Sequence, residues 1–355
     1  MKLTLSKNHV LPAGALGLAI SADGSLACVA CADGAVLNVE PGSGKMEPYQ
    51  AKHSSFASGA VLLPDGRTLI TAGYDGALLW HDTATRKCWR RVQAHGFWSW
   101  QLALSADGRR VASVSGQYLS GGWKYEPAPA VEPAVKVYDS LSGDLIAALD
   151  HTPPVLSCAF TPDGRHLAAA NMMGGVRIWD LENCQDGKPV SEWTTPEFTS
   201  WGSIKTHHYC GGIYGLSFSP DGKTLLCCGM GPMTDPMAGN GRMTWQRWTW
   251  QTRERVDQIK DGQHGSGLME SVAWHPDGTH FIMAGRQAQG TWNAALFSAA
   301  DGVLVHSIDT KKRITQARFT GDGKTLFIAG ANGQPSPRAG IWPPWGRLQT
   351  WRVEA

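Results

Sequence analysis

Seven times along the chain an Asp-Gly pair closes a short stretch of alternating apolar residues, at Asp23, Asp65, Asp107, Asp163, Asp221, Asp277 and Asp322. Three residues before each Asp stands a large apolar residue: Ile20, Leu62, Leu104, Phe160, Phe218, Trp274 or Phe319. Five before stands Leu18, Ala60, Leu102, Cys158, Leu216, Val272 or Ala317. A period of two describes a strand with one buried face, and the Asp-Gly that follows is a tight-turn signal. A unit repeated on this scale restricts the chain to a repeat architecture, and such scaffolds commonly work by displaying loops.

Successive pairs lie 42, 42, 56, 58, 56 and 45 residues apart, and the circuit from Asp322 through the two ends to Asp23 is 56. The closing interval matches the others, which predicts a ring. His53, His95 and His151 each stand twelve residues before their Asp, and His208 and His264 stand thirteen before. Late in the units come Trp80-His81-Asp82, Tyr138-Asp139, Trp179-Asp180, Trp248 to Gln251 and Trp351-Arg352. With these marks the whole chain resembles the WD-repeat (WD40) β-propeller family, of the stand-alone bacterial type. Phe160 to Gly164 with Val176 to Asp180, and Phe218 to Leu226, carry the pattern most fully, whereas blades one, six and seven are degenerate.

The expected fold is all-β: a seven-bladed β-propeller in one domain, residues 1–355, with blades starting near 15, 57, 99, 155, 213, 269 and 314. The last unit supplies three strands, Ile314 to Phe319, Thr325 to Ala329 and Arg347 to Val353. The alternating run Lys2 to Lys7 fits as its outer strand, closing the ring and covering an edge. The resemblance implies that His53, His95, His151 and His264 bond within their blades, and that Asp33 and Asp75 serve as turn partners.

Composition narrows the function. A chain of 355 residues can bury about three quarters of its unfolded surface. A formal charge of +2 gives no basic face for nucleic acid, the only compact basic run being Lys311 to Arg313. No stretch of about 20 apolar residues exists to span a membrane, and Met1 to Pro12 does not read as a signal peptide. The eight cysteines lack framework spacing, and Cys28 and Cys31 sit on opposite faces of one strand, so reduced thiols and a cytoplasmic location are expected.

Extra residues fall where the b–c and d–a connections lie, opposite the Asp-Gly turns, because successive strands are antiparallel. The longest stretches are about 116–134, 192–211, 229–242 and 331–346, with a shorter one near 286–292. They are rich in Trp, Tyr, Met and Gly, which suits ordered binding loops. Candidate binding residues on this face are Trp98, Trp100, Tyr118, Trp123, Tyr125, Trp201, Asp235, Asn240, Arg242, Arg286, Trp292, Arg338 and Trp345. Aromatic groups there suit a peptide or a partner protein. The alternative is a small ligand or carbohydrate at the channel mouth, held by Asp235, Asn240 and the arginines, or a hydrolase using Asp235.

No nucleophile elbow, phosphate loop or HExxH helix is present, so catalytic residues and cofactors are expected to be absent. His207-His208 beside Tyr209 and Cys210 is the densest ligand cluster, and Met230, Met233 and Met237 are spaced as soft copper ligands. Adjacent histidines rarely both reach one ion, and His208 falls near the structural position before Asp221, so a structural His and gap-filling methionines are the reading taken and no metal is expected.

Overall fold

In the computed structural model, residues 1–116, 130–198, 211–235, 240–333 and 337–354 are described. The chain folds into seven units of four antiparallel strands, a to d from the centre outward. The innermost strands are Ala15–Ile20, Ala57–Leu62, Ser99–Leu104, Val155–Phe160, Gly212–Phe218, Ser266–Trp274 and Arg313–Phe319. Blade seven takes its outer strand from the N-terminus: Lys2–Leu11 pairs antiparallel with Gly346–Glu354. This strand is longer than the expected Lys2 to Lys7, with a bulge between Leu5 and Lys7. Ring closure thus joins the N- and C-terminal strands through a full strand ladder, which covers the outer edge of Gly346–Glu354.

The core lies between blades. Trp80 and Trp179 are fully buried, and the Trp80 indole N–H donates to the Ser140 carbonyl of the next blade at 2.7 Å. Ala57 and Ala60 of blade two pack with Cys28 and Ala30 of blade one, and Leu102 of blade three packs with Ile70 and Trp80 of blade two. Each blade therefore buries its apolar face only by leaning on a neighbour, which is the physical reason a ring is needed.

Blades five and six depart from the expected separate units. The segment read as a blade-five loop, 229–242, belongs largely to strands: strand b runs Thr224–Asp235 and strand c runs Asn240–Thr249. This arm pairs with the start of blade six, Gly241 with Gly267 and Arg242 with Ser266, so the two blades merge into one eight-stranded sheet. No helix among the described residues is long and apolar enough to cross a membrane.

The Asp-Gly turns explain the sequence repeat. Ser21, Ser105, Thr161, Ser219 and Thr320 donate hydroxyl hydrogen bonds of 2.6–2.7 Å to the Asp two residues on. The Asp carboxylate also accepts from the backbone N–H two residues beyond, as at Arg67, Arg109 and Arg165. The seven turn glycines all have φ between 67° and 74°, the left-handed region that a Cβ disfavours. At Gly66 a Cβ would meet no atom within 4 Å, so backbone strain is the whole effect of adding one. Gly66→Ala is therefore expected to destabilise the protein by roughly 1–2 kcal/mol, while Gly66→Asn costs less. Urea denaturation midpoints check this, and equal midpoints for the two variants would contradict it.

Candidate functional site

The central channel opens on the loop-bearing face through seven equivalent positions. Every innermost strand carries a bulge seven residues before its turn Asp, which breaks the pairing register and turns that residue out of the ladder. The bulged residues are Leu16, Ser58, Trp100, Leu156, Tyr214, Glu270 and Thr315. Three are aromatic or charged, and these three carry the chemistry of the mouth.

Aromatic rings form a continuous run across this opening. Trp98, in the connection entering blade three, stacks on Tyr74 of the blade-two b–c turn with centroids 4.7 Å apart and planes 10° apart. Trp100 stacks on the same Tyr74 at 5.5 Å and meets Tyr214 edge-on at 6.4 Å. Phe56 lies 5.4 Å from Tyr74 and 5.7 Å from Trp342, and Phe97 lies 4.8 Å from Trp98. Phe56, Tyr74, Trp98, Trp100, Tyr214 and Trp342 are all partly exposed. Rings from blades two, three, five and seven thus converge on one face.

Beneath them Arg313 and Glu270 form a bidentate ion pair, with nitrogen–oxygen distances of 2.7 and 2.6 Å. Their side chains are 17% and 10% exposed, so the pair is nearly desolvated. Burial opposes charge on the Arg313 guanidinium, but the Glu270 carboxylate outweighs it and raises its pKa. Burial also raises the Tyr74 phenol, with Arg313 pulling it down and Glu270 pushing it up, so Tyr74 senses the pair electrostatically. The opening lined by Tyr74, Trp100, Tyr214, Glu270 and Arg313 encloses only about 50 Å³.

Of the sequence candidates, Trp98 and Trp100 lie in this aromatic run. Asn240, Arg242 and Arg286 gather at the blade five–six arm, where Arg286 donates to the Asn240 Oδ1 at 3.4 Å and Arg242 pairs with Asp261 at 2.8 Å. The backbone of Asp235 pairs with Asn240; its side chain lies outside the described residues, as do Tyr118, Trp123, Tyr125 and Trp201. Trp292 is not on the surface: it is 5% exposed and packs 6.1 Å from Phe297 in the blade five–six core, because Asn293 and Ala294 draw it into strand c. Arg338 is exposed on a small hairpin where its backbone bridges Ile341. Trp345 is partly buried and makes no ring contact among the described residues; Trp342 from the same segment joins the aromatic run instead. Phe56, Tyr74 and the Glu270–Arg313 pair were absent from the candidates. Tyr74 sits in a minimal b–c turn, between Gly73 and Ala77, where loop length gave no signal. Aligning the innermost strands on their Asp would have exposed Glu270 as the one acid in its row.

The histidines are structural where the family pattern is intact. The Asp75 carboxylate bonds His53 Nδ1 at 2.9 Å, His53 Nε2 bonds the Thr71 hydroxyl at 3.0 Å, and that hydroxyl bonds His81 Nε2 at 3.1 Å. One proton order satisfies all three bonds: His53 Nδ1–H donates to Asp75, Thr71 donates to His53, and His81 Nε2–H donates to Thr71. Blade three substitutes Glu132, which accepts from the Gly96 N–H at 2.7 Å and lies 4.0 Å from His95 Nδ1. No group of three or more metal-binding side chains occurs among the described residues, and Met230 is buried in the core; Met237, His207 and His208 lie outside the described residues.

Comparison with known proteins agrees with this architecture. The family "WD domain, G-beta repeat" matches residues 143–180 and 200–231. A WD repeat-containing protein, SL1-17, of Schistosoma mansoni is 24% identical over 177 residues, 50% of this chain and 53% of that protein. The SAGA complex/transcription factor TFIID complex subunit Taf5 of Schizosaccharomyces pombe is 33% identical over 90 residues, 25% of this chain and 14% of its own length. The chain thus spans about half or less of these relatives, both of them eukaryotic rather than bacterial. A chain in the crystal structure of a mitotic checkpoint complex superposes with a TM-score of 0.71 at 16% identity, covering 99% of this chain and 92% of that one, which shows a shared fold.

Three buried imidazoles make stability depend on pH. Burial pushes His81 down to about 4, with His53 adding to it. It pushes His95 down to about 4, helped by Lys136 and opposed by Glu132, and His151 down to about 3, helped by Arg177. The unfolded chain protonates them near the ordinary 6.5, so it binds more protons than the folded chain between 6.5 and those lower values. Stability is accordingly whole above about pH 6.5 and is lost as pH falls toward 4 and below. Among the described residues neither ring nitrogen of His151 has a hydrogen-bond partner, so the bond within its blade that the family resemblance implied is not formed. His151→Leu should therefore flatten the fall of the urea midpoint by up to one proton's worth of slope, and parallel wild-type and variant curves would refute this.

Proposed function

We propose that this chain, a WD40-repeat protein, is an interaction scaffold that seats an extended peptide segment of a partner protein on its loop-bearing face. WD40 propellers are typically protein-interaction scaffolds, and the S. pombe relative is a subunit of a multiprotein complex. The single observation that carries the choice of face is the Trp342–Phe56–Tyr74–Trp98–Trp100 run of partly exposed rings. Large rigid rings supply much contact area at little entropic cost and dominate interface energetics. The desolvated Glu270–Arg313 pair beneath them offers a fixed polar anchor for a backbone amide or side-chain group. Asn240, Arg242 and Arg286 supply a polar rim, the usual surround of an apolar contact. Tyr118, Trp123, Tyr125 and Trp201 extend the same surface in this reading.

The size of the opening favours a peptide over a sugar at this mouth. About 50 Å³ is far below the ~300–1,000 Å³ of small-ligand pockets, whereas a shelf of rings suits a chain laid across it. A cytoplasmic setting fits the described cysteines, all of which are free.

Peptides selected from a random display library against the purified chain test the proposal. Trp98→Ala and Trp342→Ala should each weaken the selected peptides by about tenfold or more. Trp89→Ala, on the exposed outer strand of blade two where this tryptophan is 48% exposed, should leave them unchanged. If all three variants bind alike, the loop-bearing face is not the docking surface.

A further inference from the structure

The half of the channel nearer the Asp-Gly turns is hollow, enclosing about 500 Å³ between all seven innermost strands. Its collar is the row of large apolar residues that stand three before each turn Asp, among them Phe160, Phe218, Trp274 and Phe319. The next row inward, four before each Asp, begins with Ala19, Val61 and Ala103 in blades one to three.

 Blade four places Ala159 in this row, blade five Ser217 and blade six Ala273, whereas blade seven places Arg318. One guanidinium thus stands in a row of side chains too short to fill the space around it.

Among the described residues Arg318 has no carboxylate within ion-pair distance, and its one hydrogen bond goes from Nη1 to the Ala317 carbonyl at 3.0 Å. Three neighbouring polar side chains of the lining are engaged. The Gln101 Oε1 accepts from the Cys158 N–H, the Ser271 hydroxyl oxygen accepts from the Ala317 N–H, and Glu270 is held by Arg313. Desolvation alone pushes the Arg318 guanidinium down to about 10, so it stays charged at neutral pH in a partly exposed position with no charged partner among the described residues. A partly desolvated charge gains from a partner, and a guanidinium matches a carboxylate with two parallel hydrogen bonds.

We propose that this half of the channel is a binding site for a small organic carboxylate, its carboxylate paired with Arg318 and its apolar body against the Phe160–Phe218–Trp274–Phe319 side of the collar. The volume falls within the ~300–1,000 Å³ of small-ligand pockets, and an apolar wall with one charged group is the usual makeup of such a site. The site is independent of the aromatic face, so either can fail without the other.

Octanoate titrated into the purified chain, by calorimetry and by thermal unfolding, tests the assignment. Octanoate should bind saturably and raise Tm, because a ligand of the folded state stabilises it. Octan-1-ol, with the same body and no charge, should bind wild type at least about tenfold more weakly. Arg318→Met should weaken octanoate by a similar factor, and Ser217→Leu, which fills the cavity while keeping the arginine, should weaken it too. Comparable affinity for octanoate and octanol overturns the proposal, as does absence of saturable binding at millimolar octanoate. Inorganic phosphate bound as tightly as octanoate also overturns it, since the apolar collar would then contribute nothing. The two-ligand comparison needs only the wild-type chain and decides the matter even if a variant fails to fold.

Discussion

Each innermost strand carries its extra residue at the same height, and the two ends of the channel take their character from that placement. A bulge breaks the ladder at Leu16, Ser58, Trp100, Leu156, Tyr214, Glu270 and Thr315 alike. Below it the strands resume a common register, so residues at one distance from the turn Asp form a level row around the axis. The strands approach closely there: a Cβ on Gly17 would stand 2.8 Å from the Gly59 Cα. Neighbouring strands are also tied directly, by the Ser58 hydroxyl to the Ser99 carbonyl, Ser157 to Ile213, and Thr315 across the closure to Ala15. The contact between blades seven and one has the same form as those inside the ring, so that boundary is built like the others.

The two ends differ because of what stands in those rows. At the loop-bearing end the bulged positions hold Trp100 and Tyr214, and loop rings cover them, leaving little open volume. At the turn end the row is short side chains, the collar is wide, and the volume is tenfold larger, about 500 against about 50 Å³. A surface of stacked rings can hold a partner segment lying over it, whereas a walled cavity holds something that enters it. The two openings of one scaffold thus differ in shape and in the chemistry of their lining.

The fold was legible because its determinant is local. The turn needs Asp to accept backbone N–H groups and Gly to take φ near 70°, so both residues recur and set the register of every blade. Trp98 and Trp100 were legible for the same reason, since their distance from Asp107 fixes their height. The arm of blades five and six was not, because its glycines read as loop, whereas Gly241 lies in a strand where a Cβ would stand 2.5 Å from the Gly231 carbonyl oxygen. Trp292 misled because a tryptophan near a strand start has the same composition signal whether its ring turns inward or outward. The Glu270–Arg313 pair is joined across 43 residues and two blades, a contact that only the ring's curvature creates.

Arg313 and Arg318 stand five residues apart on one strand and meet opposite fates. At the upper level the neighbouring blade supplies Glu270, and the pair is bidentate and nearly desolvated. At the lower level the corresponding neighbours are Ala273 on one side and Ala19 on the other. The scaffold can therefore deliver a carboxylate from blade six to a blade-seven arginine, and at the row of Arg318 it does not. A partly desolvated lone cation is less favourable than a paired one, and an acidic residue in the same row would pair it. The geometry does not forbid that residue, because alanine occupies its place with open volume beside it. The unpaired charge is thus a property of side-chain choice rather than of backbone constraint, and the cavity in front of it is where a carboxylate from outside the chain would complete the pair.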